Sequence, residues 1–596
     1  MTTTLDRPLE KQYPEDEDEV PSGRYAAWTL FVVCFVGYGV LGYYLFRAGY
    51  INPDATSRTG NAGYTVMSRH PHLGAVGFVW NPLPSFAQIP LMPLSGWWPE
   101  LKSLGLTGVI QSAAFMAGAV VSIRRIALDA NVASWVRWIG IAAFALNPMI
   151  VLYGATGMSE AAFLFVLLWG CRRLVQWLRT HATVDLCWAG IAFGLGYLIR
   201  YEALVAAAAA TIVVMAYSFR RYQVQSGWRS GVAHSWHDGV VLAFPTAAAF
   251  VLWALAGWLL DASLLAQFTS QYGNSAQVAA AGIVDATDVG FTPLLSIIAS
   301  SVFGIQPLVG VVAIAVIAVA VRRRNYLPVV PLAIFGSILV FQCVAILLGS
   351  TFGWFRFFIV LVPLVVVLLF VSWPDTTSPA RSEKLWRTAI FVLMVSVVCT
   401  SFPITWRSML DPSIGKEEYG IRSVLWPEQY PRDSFWFFWS GEVAENTVRW
   451  FDSQNLPAGS VVMDTFGLAR MWLASEHPEQ FVVRSDYDFF DKLNHPAETG
   501  VRYILVPRPS GLGELDAVNI RYPTLWNTGA GIGTLVMTVT GPTGGAQFRI
   551  FRIYDRDDKP VRASTSQAGA AGAPDPAETA PETGADRDPA RGTPGG

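Results

Sequence analysis

The chain has 596 residues, of which 53% are hydrophobic and 14% are charged, and its mean hydropathy is +0.38. Because soluble proteins carry about 25% charged residues, this composition excludes a soluble globular protein and indicates a surface that mostly faces lipid. The net charge of −2 excludes a broadly basic surface for nucleic acid, so we expect no nucleic-acid partner.

The N-terminal segment, residues 1–24, is polar and contains an acidic run at 15–19. A cleavable signal would instead place a basic region directly before a short apolar one. The first apolar run, 26–46, is long enough to be a retained membrane helix. We therefore predict a polar cytoplasmic N-terminus followed by a transmembrane region.

Eleven stretches approach the roughly 20 apolar residues that a spanning helix requires. They predict a mainly α, polytopic helix bundle over residues 25–408. The fifth and sixth stretches lie so close together that they are either two helices or one re-entrant element. The eleven are 26–46, 104–123, 134–153, 159–177, 185–201, 203–219, 238–259, 304–321, 327–348, 354–373 and 387–405.

Basic residues in the loops predict the orientation, because Lys and Arg concentrate in cytoplasmic loops. They follow every even-numbered stretch, which places the N-terminus inside and, for eleven spans, the C-terminus outside. The protein is thus predicted to be a multi-pass plasma-membrane protein. The cytoplasmic groups are Arg124 and Arg125, Arg172, Arg173 and Arg179, Arg220 and Arg221, Arg322 to Arg324, and Arg381 with Lys384.

The long C-terminal segment is predicted to contain a small extracytoplasmic α/β domain at 409–558. Short apolar runs at 461–463, 481–483 and 503–506 alternate with helical patterns, which is typical of short strands between helices. Residues 559–596 are mainly Ala, Gly, Pro, Thr, Asp and Glu. With so little to bury, this tail is predicted to be disordered.

The first external loop, 47–103, begins with a helix signal. Asn52 is a good N-cap, and the proline that follows it suits the first helical turn. On a helix Asp54, Arg58 and Asn61 share one face. This pattern fits either an ordinary helix start with an ion pair, or a carboxylate held at the membrane boundary near a lipid headgroup.

Further along this loop, the sequence Arg69-His70-Pro71-His72-Leu73 is followed by the proline-broken apolar stretch 78–84. The stretch is too short to span and is predicted to lie at the membrane interface, with Trp80 at headgroup level. His70 and His72 are two residues apart and point apart on a helix, so we expect no metal pair there.

Four more charged residues fall at the outer face in the predicted topology: Glu160, Arg200, Glu202 and Arg356. Charges at membrane depth usually pair or line a cavity. Each also has a simpler interpretation. Glu160 could belong to a helix cap, Arg200 and Glu202 could pair across a turn, and Arg356 could anchor a helix at the interface.

A first helix, a nearby aspartate (Asp54), a His-Pro-X-Leu element (His70–Leu73) and a proline-broken stretch together resemble polytopic glycosyltransferases of the GT-C fold. The resemblance is strongest to the protein-O-mannosyltransferase and lipid A aminoarabinose transferase branch. It covers residues 25–405 in architecture and 50–90 in motifs. Two positions differ: Asp54 is followed by Ala55 rather than a second acid, and His72 stands where the family often has a proline.

The resemblance implies a polyprenyl-phosphate sugar as donor and a hydroxyl of a glycan, lipid or protein as acceptor. The sugar would be mannose-like or another hexose or pentose, transferred with inversion. Asp54 would be the general base, and Arg200 and Arg356 would stabilise the departing phosphate. No cofactor or metal is expected. The remaining candidate substrate-binding residues are Arg58, Asn61, His72, Glu160 and Glu202.

Two other classes of protein stay open at this point. A lipid or glycolipid transporter or flippase would show internal repeats, and the two halves of this sequence show no duplication. A non-catalytic envelope-assembly partner on the same scaffold would have the same sequence features but would not need Asp54.

Overall fold

The computed structural model describes residues 21–282, 291–374, 381–542 and 544–554. The tail at 559–596, predicted to be disordered, lies outside the described residues, as does most of the predicted cytoplasmic segment 1–24. The elements below are numbered over the described part of the chain.

The helices are α1 (Pro21–Arg47), α2 (Pro53–Met67), α3 (Leu83–Gln88), α4 (Glu100–Ser103), α5 (Leu106–Asp129), α6 (Ser134–Ala145), α7 (Pro148–Ala155), α8 (Ser159–Thr180), α9 (Thr183–Tyr197), α10 (Ala203–Ser226), α11 (Trp228–Asp261), α12 (Ala266–Thr269), α13 (Asn274–Ala280), α14 (Phe291–Ile305), α15 (Val309–Arg323), α16 (Val329–Leu347), α17 (Leu361–Val371), α18 (Arg381–Leu410), α19 (Arg422–Leu425), α20 (Trp436–Asp452), α21 (Thr465–Ala474), α22 (Phe489–Asn494), α23 (Ala517–Arg521) and α24 (Leu525–Thr528). The strands are β1 (Val461–Val462), β2 (Phe481–Val482), β3 (Tyr503–Pro507), β4 (Gly533–Thr540) and β5 (Ala546–Ile553).

Within the described residues, seven helices are long and apolar enough to cross a membrane: α1, α5, α8, α10, α11, α16 and α18. Two bent pairs bring the number to nine if each pair is one span. The pair α6 and α7 bends by 58° where Asn147 caps Met149 before a helix-starting proline. The pair α14 and α15 bends by 74° at Pro307, which cannot continue a helix.

The predicted polytopic helix bundle is confirmed, but the count of eleven spans changes. All eleven predicted stretches are helical, yet the fifth, α9, and the tenth, α17, are only 15 and 11 residues long. The close pair that was left open is two separate helices, α9 and α10, joined by a short turn at 198–202. Seven to nine spans in the described part of the chain therefore meet the length requirement.

Helix α17 shows why hydropathy alone is not a sufficient criterion for a membrane span. Every one of its residues is buried, and it packs against α5, α6, α15 and α16. The close approach of α6 depends on Gly140, which lies directly beside the ring of Phe370. The neighbouring helices shield this apolar helix from lipid, so its high hydropathy reflects burial in protein.

The C-terminal region contains a five-stranded sheet with the order β2-β1-β3-β5-β4. Strands β1, β2 and β3 are parallel, with Val461 opposite both Phe481 and Tyr503. Strand β5 runs antiparallel to both β3 and β4. The predicted small α/β domain is confirmed, and the three predicted strands are β1, β2 and β3. The hairpin of β4 and β5 was not predicted.

Helix α2, in the loop 47–103, packs against α21 of the C-terminal domain. Two glycines allow the approach: Gly60 lies beside Ala469, and Gly63 lies so close to Trp472 that a Cβ there would come within 2.6 Å of the indole ring. The Trp472 ring also packs edge-on against Tyr64, with centroids 4.8 Å apart. The domain is thus held against the helix that carries Asp54.

Replacing Gly63 with Val should weaken this packing, because the added carbons meet the indole ring of Trp472. Overpacking of this kind costs about 1–3 kcal/mol. We expect a lower thermal unfolding midpoint for Gly63→Val in detergent, measured by intrinsic fluorescence. Gly96→Val is the matched control, since a Cβ at Gly96 meets no atom within 4 Å. Equal midpoints for the two variants would contradict the packing argument.

Candidate functional site

Asp54 lies in the first turn of α2, where the local sequence fixes its position. Pro53 occupies the first helical turn, and the Asn52 side chain accepts a hydrogen bond of 2.8 Å from the Asp54 backbone N–H. Asparagine as N-cap and proline at the first turn are both strong helix-start signals. The side chain of Asp54 keeps 27% of its surface exposed.

Arg356 is the centre of the polar cluster at this point. Its guanidinium contacts Asp54 at 2.7 Å, Glu417 at 2.5 Å and Glu160 at 3.5 Å. It sits in a short 3-10 turn at 355–358 before α17, and only 5% of the residue is exposed. Arg356 is therefore a buried link between three chain segments and not an anchor at the membrane interface.

Arg200 extends the cluster on the other side of Glu160. Its guanidinium bonds Glu160 at 2.8 Å and Glu202 at 2.7 Å. The Gln342 amide also donates to Glu202, at 3.1 Å. Glu160 thus contacts both arginines. No side-chain cap precedes α8 at Met158, and the Glu160 carboxylate, in the first turn of that helix, bonds the arginines of the cluster.

Two further acidic residues, Glu417 and Glu418, complete the cluster and were not predicted. Besides its contact with Arg356, Glu417 accepts a hydrogen bond of 3.2 Å from the Asn52 amide. Glu418 accepts one of 2.5 Å from the Tyr153 hydroxyl. The available signal was an adjacent acidic pair just beyond the last predicted span, on the same predicted side as Asp54.

Burial raises the pKa of both Glu417 and Glu418. For Glu417 the elevation is large, because loss of hydration outweighs the attraction of Arg356. Both glutamates belong to a cluster of five carboxyl groups and three guanidinium groups, those of Arg58, Arg200 and Arg356.

Arg58 differs from the other two arginines of the cluster. The residue is 6% exposed, its Nη1 donates to the Asp54 backbone carbonyl at 3.0 Å, and its guanidinium lies over the Trp80 ring at 5.1 Å. Among the described residues, no carboxylate forms a salt bridge with it. Burial lowers the pKa of Arg58 accordingly. A buried cation without a paired carboxylate is a strong attractor for an anion.

A cleft of about 640 Å³ opens beside Asp54, between α2 and the C-terminal domain. Asp54, Ser57 and Trp80 line one side of it. The volume lies in the range of about 300–1,000 Å³ that is usual for small-molecule sites. Residues of the C-terminal region line the other side, among them Trp436, Glu442, Arg470, Asp516 and Phe548.

The structure brings together Asp54, Arg58, Glu160, Arg200, Glu202 and Arg356, but not every predicted site residue. His72 stacks on Tyr487 of the C-terminal domain, with ring centroids 4.5 Å apart. It follows the far end of α2, about 20 Å from Asp54 at 1.5 Å per residue. Asn61 lies two turns after Asp54 on the same helix. Its backbone carbonyl accepts a hydrogen bond from the Thr65 hydroxyl.

No protein-family model matches this chain, and no curated protein sequence matches it. Its architecture is similar to that of ArnT from Cupriavidus metallidurans bound to undecaprenyl phosphate, at 11% identity and a TM-score of 0.49, over 87% of this chain and 97% of that one. It is also similar to the archaeal oligosaccharyltransferase AglB from Archaeoglobus fulgidus in complex with an inhibitory peptide and a dolichol-phosphate, at 12% identity and a TM-score of 0.33, over 91% and 75% of the two chains. At these values the argument about function rests on the geometry of the site.

The raised pKa of Glu417 makes stability depend on pH. Between 4.5, the usual pKa of a glutamate, and its raised folded value, the folded protein binds more protons than the unfolded chain. The free energy of unfolding therefore falls as the pH rises, by up to about 1.4 kcal/mol per pH unit for one group. We expect a smaller fall in Glu417→Gln, measured as the thermal midpoint across a pH series. Glu479→Gln, at an exposed position, is the control and should show the same dependence of the thermal midpoint on pH as the unmodified protein. If Glu417→Gln also showed that dependence, the raised pKa of Glu417 would be refuted as its cause.

Proposed function

We propose that this protein transfers a sugar from a polyprenyl-phosphate donor to an acceptor hydroxyl at the extracytoplasmic face of the membrane, with inversion at the anomeric carbon. The observation that carries the proposal is the pairing of two groups on one helix. Asp54 is a partly exposed carboxylate at the wall of the cleft, and Arg58, one turn later, is a buried cation without a carboxylate partner in the described chain. The Asp54 carboxylate suits removal of a proton, and the Arg58 guanidinium suits binding of an anionic phosphate.

Asp54 is the proposed general base. It would take the proton from the acceptor hydroxyl as the oxygen attacks the anomeric carbon and the bond to the phosphate oxygen breaks. A single displacement of this kind inverts the anomeric centre. Arg356, which does not line the cleft, contacts Asp54 at 2.7 Å and thereby fixes the direction of the carboxylate. Its role is positioning.

Arg58 is the proposed phosphate ligand. The sequence favoured Arg200 and Arg356 for this role, but both guanidinium groups are bonded to carboxylates. An incoming phosphate would have to displace those partners, whereas at Arg58 it would supply the missing negative charge. Charge-assisted hydrogen bonds to phosphate are shorter and stronger than neutral ones. The ring of Trp80 beneath Arg58 lines the cleft, so headgroup and acceptor would meet at this point.

The acceptor would enter through the cleft between α2 and the C-terminal domain. Trp436, Glu442 and Asp516 on the domain side provide an aromatic face and carboxylates, which suit a polar, hydroxyl-rich partner. The C-terminal domain would then contribute to acceptor selection, whether that acceptor is a glycan, a lipid or a protein. The proposed orientation, with the N-terminus cytoplasmic, follows from the basic loops of the sequence.

Asp54→Asn should lower sugar transfer by about 100-fold to 10,000-fold, the usual loss when a general base is removed. The assay supplies labelled sugar on undecaprenyl phosphate or dolichol phosphate, the carriers present in the two similar structures, to membranes containing the protein. Asp491→Asn, at an exposed position of the C-terminal domain, is the control. Transfer by Asp54→Asn equal to the control would reject the base assignment. Movement of labelled lipid without any transfer would point to a flippase instead.

Arg58→Gln should raise the KM for the donor by on the order of tenfold or more, because hydrogen bonds to charged groups are worth about 1.5–3 kcal/mol. The KM for the acceptor should change far less, and Arg58→Lys should recover part of the loss. Arg502→Gln, which removes an exposed arginine, serves as the matched control. An unchanged donor KM in Arg58→Gln would exclude Arg58 as the phosphate ligand.

A further inference from the structure

A second cluster of polar side chains joins the end of α2 to the C-terminal domain, well away from Asp54. Arg69 donates from Nε to Asp486 at 3.1 Å and from Nη2 to Asp488. The ring of Tyr487, between the two aspartates, stacks on His72. The segment 69–72 and the turn 486–488 therefore form one contact between the first external loop and the domain.

Within this contact, three side-chain atoms have the spacing of metal ligands. Nδ1 of His70 lies 3.5 Å from Oδ1 of Asp486 and 3.7 Å from Oδ1 of Asp488, and the ligand atoms of the three residues all lie within 4.8 Å of one another. Bonds of about 2.0–2.1 Å in a tetrahedral zinc site place neighbouring ligand atoms roughly 3.3 Å apart. Small side-chain movements would therefore bring the three ligand atoms to bonding distance of a single ion.

The hydrogen bonding at this contact is incomplete without an ion. The Asp486 side chain is fully buried. Its Oδ2 accepts hydrogen bonds from Arg69 and from the Val483 N–H, but its Oδ1 has no hydrogen-bond partner in the described structure. The Nδ1 atom of His70 is also buried and has no hydrogen-bond partner in the described structure. Leaving buried polar atoms unpaired costs about 1–3 kcal/mol each, and a cation between these two atoms would satisfy both.

We propose that His70, Asp486 and Asp488 bind a divalent transition-metal ion, with zinc as the best match. One imidazole nitrogen and two carboxylate oxygens suit Zn²⁺, with water as a fourth ligand, whereas Ca²⁺ and Mg²⁺ prefer oxygen alone. Arg69 brings one positive charge to two carboxylates. It bonds Oδ2 of Asp486, which directs Oδ1 toward His70, and it bonds Oδ1 of Asp488, an oxygen that has a second lone pair for an ion. Such outer contacts commonly orient metal ligands.

The proposed site revises the expectation from the sequence that no metal binds near His70. The sequence argument considered His70 with His72, and those two do not share a site here. Nδ1 of His72 lies 2.7 Å from the backbone carbonyl of His70, and its ring stacks on Tyr487. The partners of His70 come from more than 400 residues further along the chain, a distance that no local motif reveals.

The ion would act as a structural clamp. It would join the residues after α2 to a turn of the C-terminal domain and so fix the far end of the helix that begins with Asp54. This role does not depend on the proposed sugar transfer, because the clamp lies about one helix length from Asp54.

The test uses the full-length protein, purified in detergent, stripped with a chelator and reloaded with zinc alone. Elemental analysis after removal of free metal should give about one zinc per chain. His70→Ala and the isosteric Asp488→Asn should each lose it. His72→Ala and His477→Ala should keep it, since His477 is an exposed histidine that pairs with Glu479. Zinc should also raise the thermal midpoint of the unmodified protein but not that of Asp488→Asn.

Cobalt(II) provides a second readout that does not depend on stability. It should give a visible absorption spectrum typical of tetrahedral coordination in the unmodified protein and in His72→Ala, and none in Asp488→Asn. The proposal is overturned if the stripped protein takes up no zinc, or if Asp488→Asn binds as much as His477→Ala.

Discussion

The polar cluster around Asp54 depends on one interaction, the contacts of the Arg356 guanidinium with acidic residues. The guanidinium is almost fully buried and is neutralised by acidic residues from separate segments: Asp54 from α2, Glu160 from α8 and Glu417 from the segment after α18. A buried arginine that loses one such partner typically destabilises a protein by about 3–5 kcal/mol. Each of these segments is therefore constrained by the same charge, and the direction of the Asp54 carboxylate follows from that constraint.

A second constraint on the same helix comes from the C-terminal domain. The helix that carries Asp54 is held at its start by Asn52 and Arg356 and along its length by the close packing of Gly60 and Gly63 on α21. Lys102 adds a hydrogen bond of 2.8 Å to the carbonyl of Ser475. Because α2 touches both the membrane bundle and the C-terminal domain, the cleft between them has a defined width.

The sequence was sufficient for the features that depend on local chemistry. The N-cap at Asn52 and the three parallel strands carry signals within a few residues, and all are present. Basic loops also placed Asp54, Glu160, Arg200 and Arg356 on one predicted side, and the structure brings these residues into one cluster.

What the sequence missed depends on contacts between distant segments. Glu417 and Glu418 have no motif, and only their burial beside Arg356 and Tyr153 gives them a role. Helix α17 looked like a span because hydropathy does not distinguish a protein interior from lipid. The β4–β5 hairpin was missed because β4 lies at the sheet edge and exposes Leu535 and Val536, which blurs the alternation that marks a half-buried strand.

The spread of the cluster along the chain has a consequence for biosynthesis. Asp54 and Glu160 are made early and Arg356 later, while Glu417 follows α18, the last long apolar helix of the described chain. A nascent chain that has inserted everything up to α17 already contains the arginine but not its final acidic partner. Asp54 and Glu160 can already contact the guanidinium in such an intermediate, but the bond that ties the segment after α18 to Arg356 forms only once translation passes residue 417. The polar cluster is therefore completed last, by the segment that leads into the C-terminal domain, and a truncated chain can insert its apolar helices without completing it.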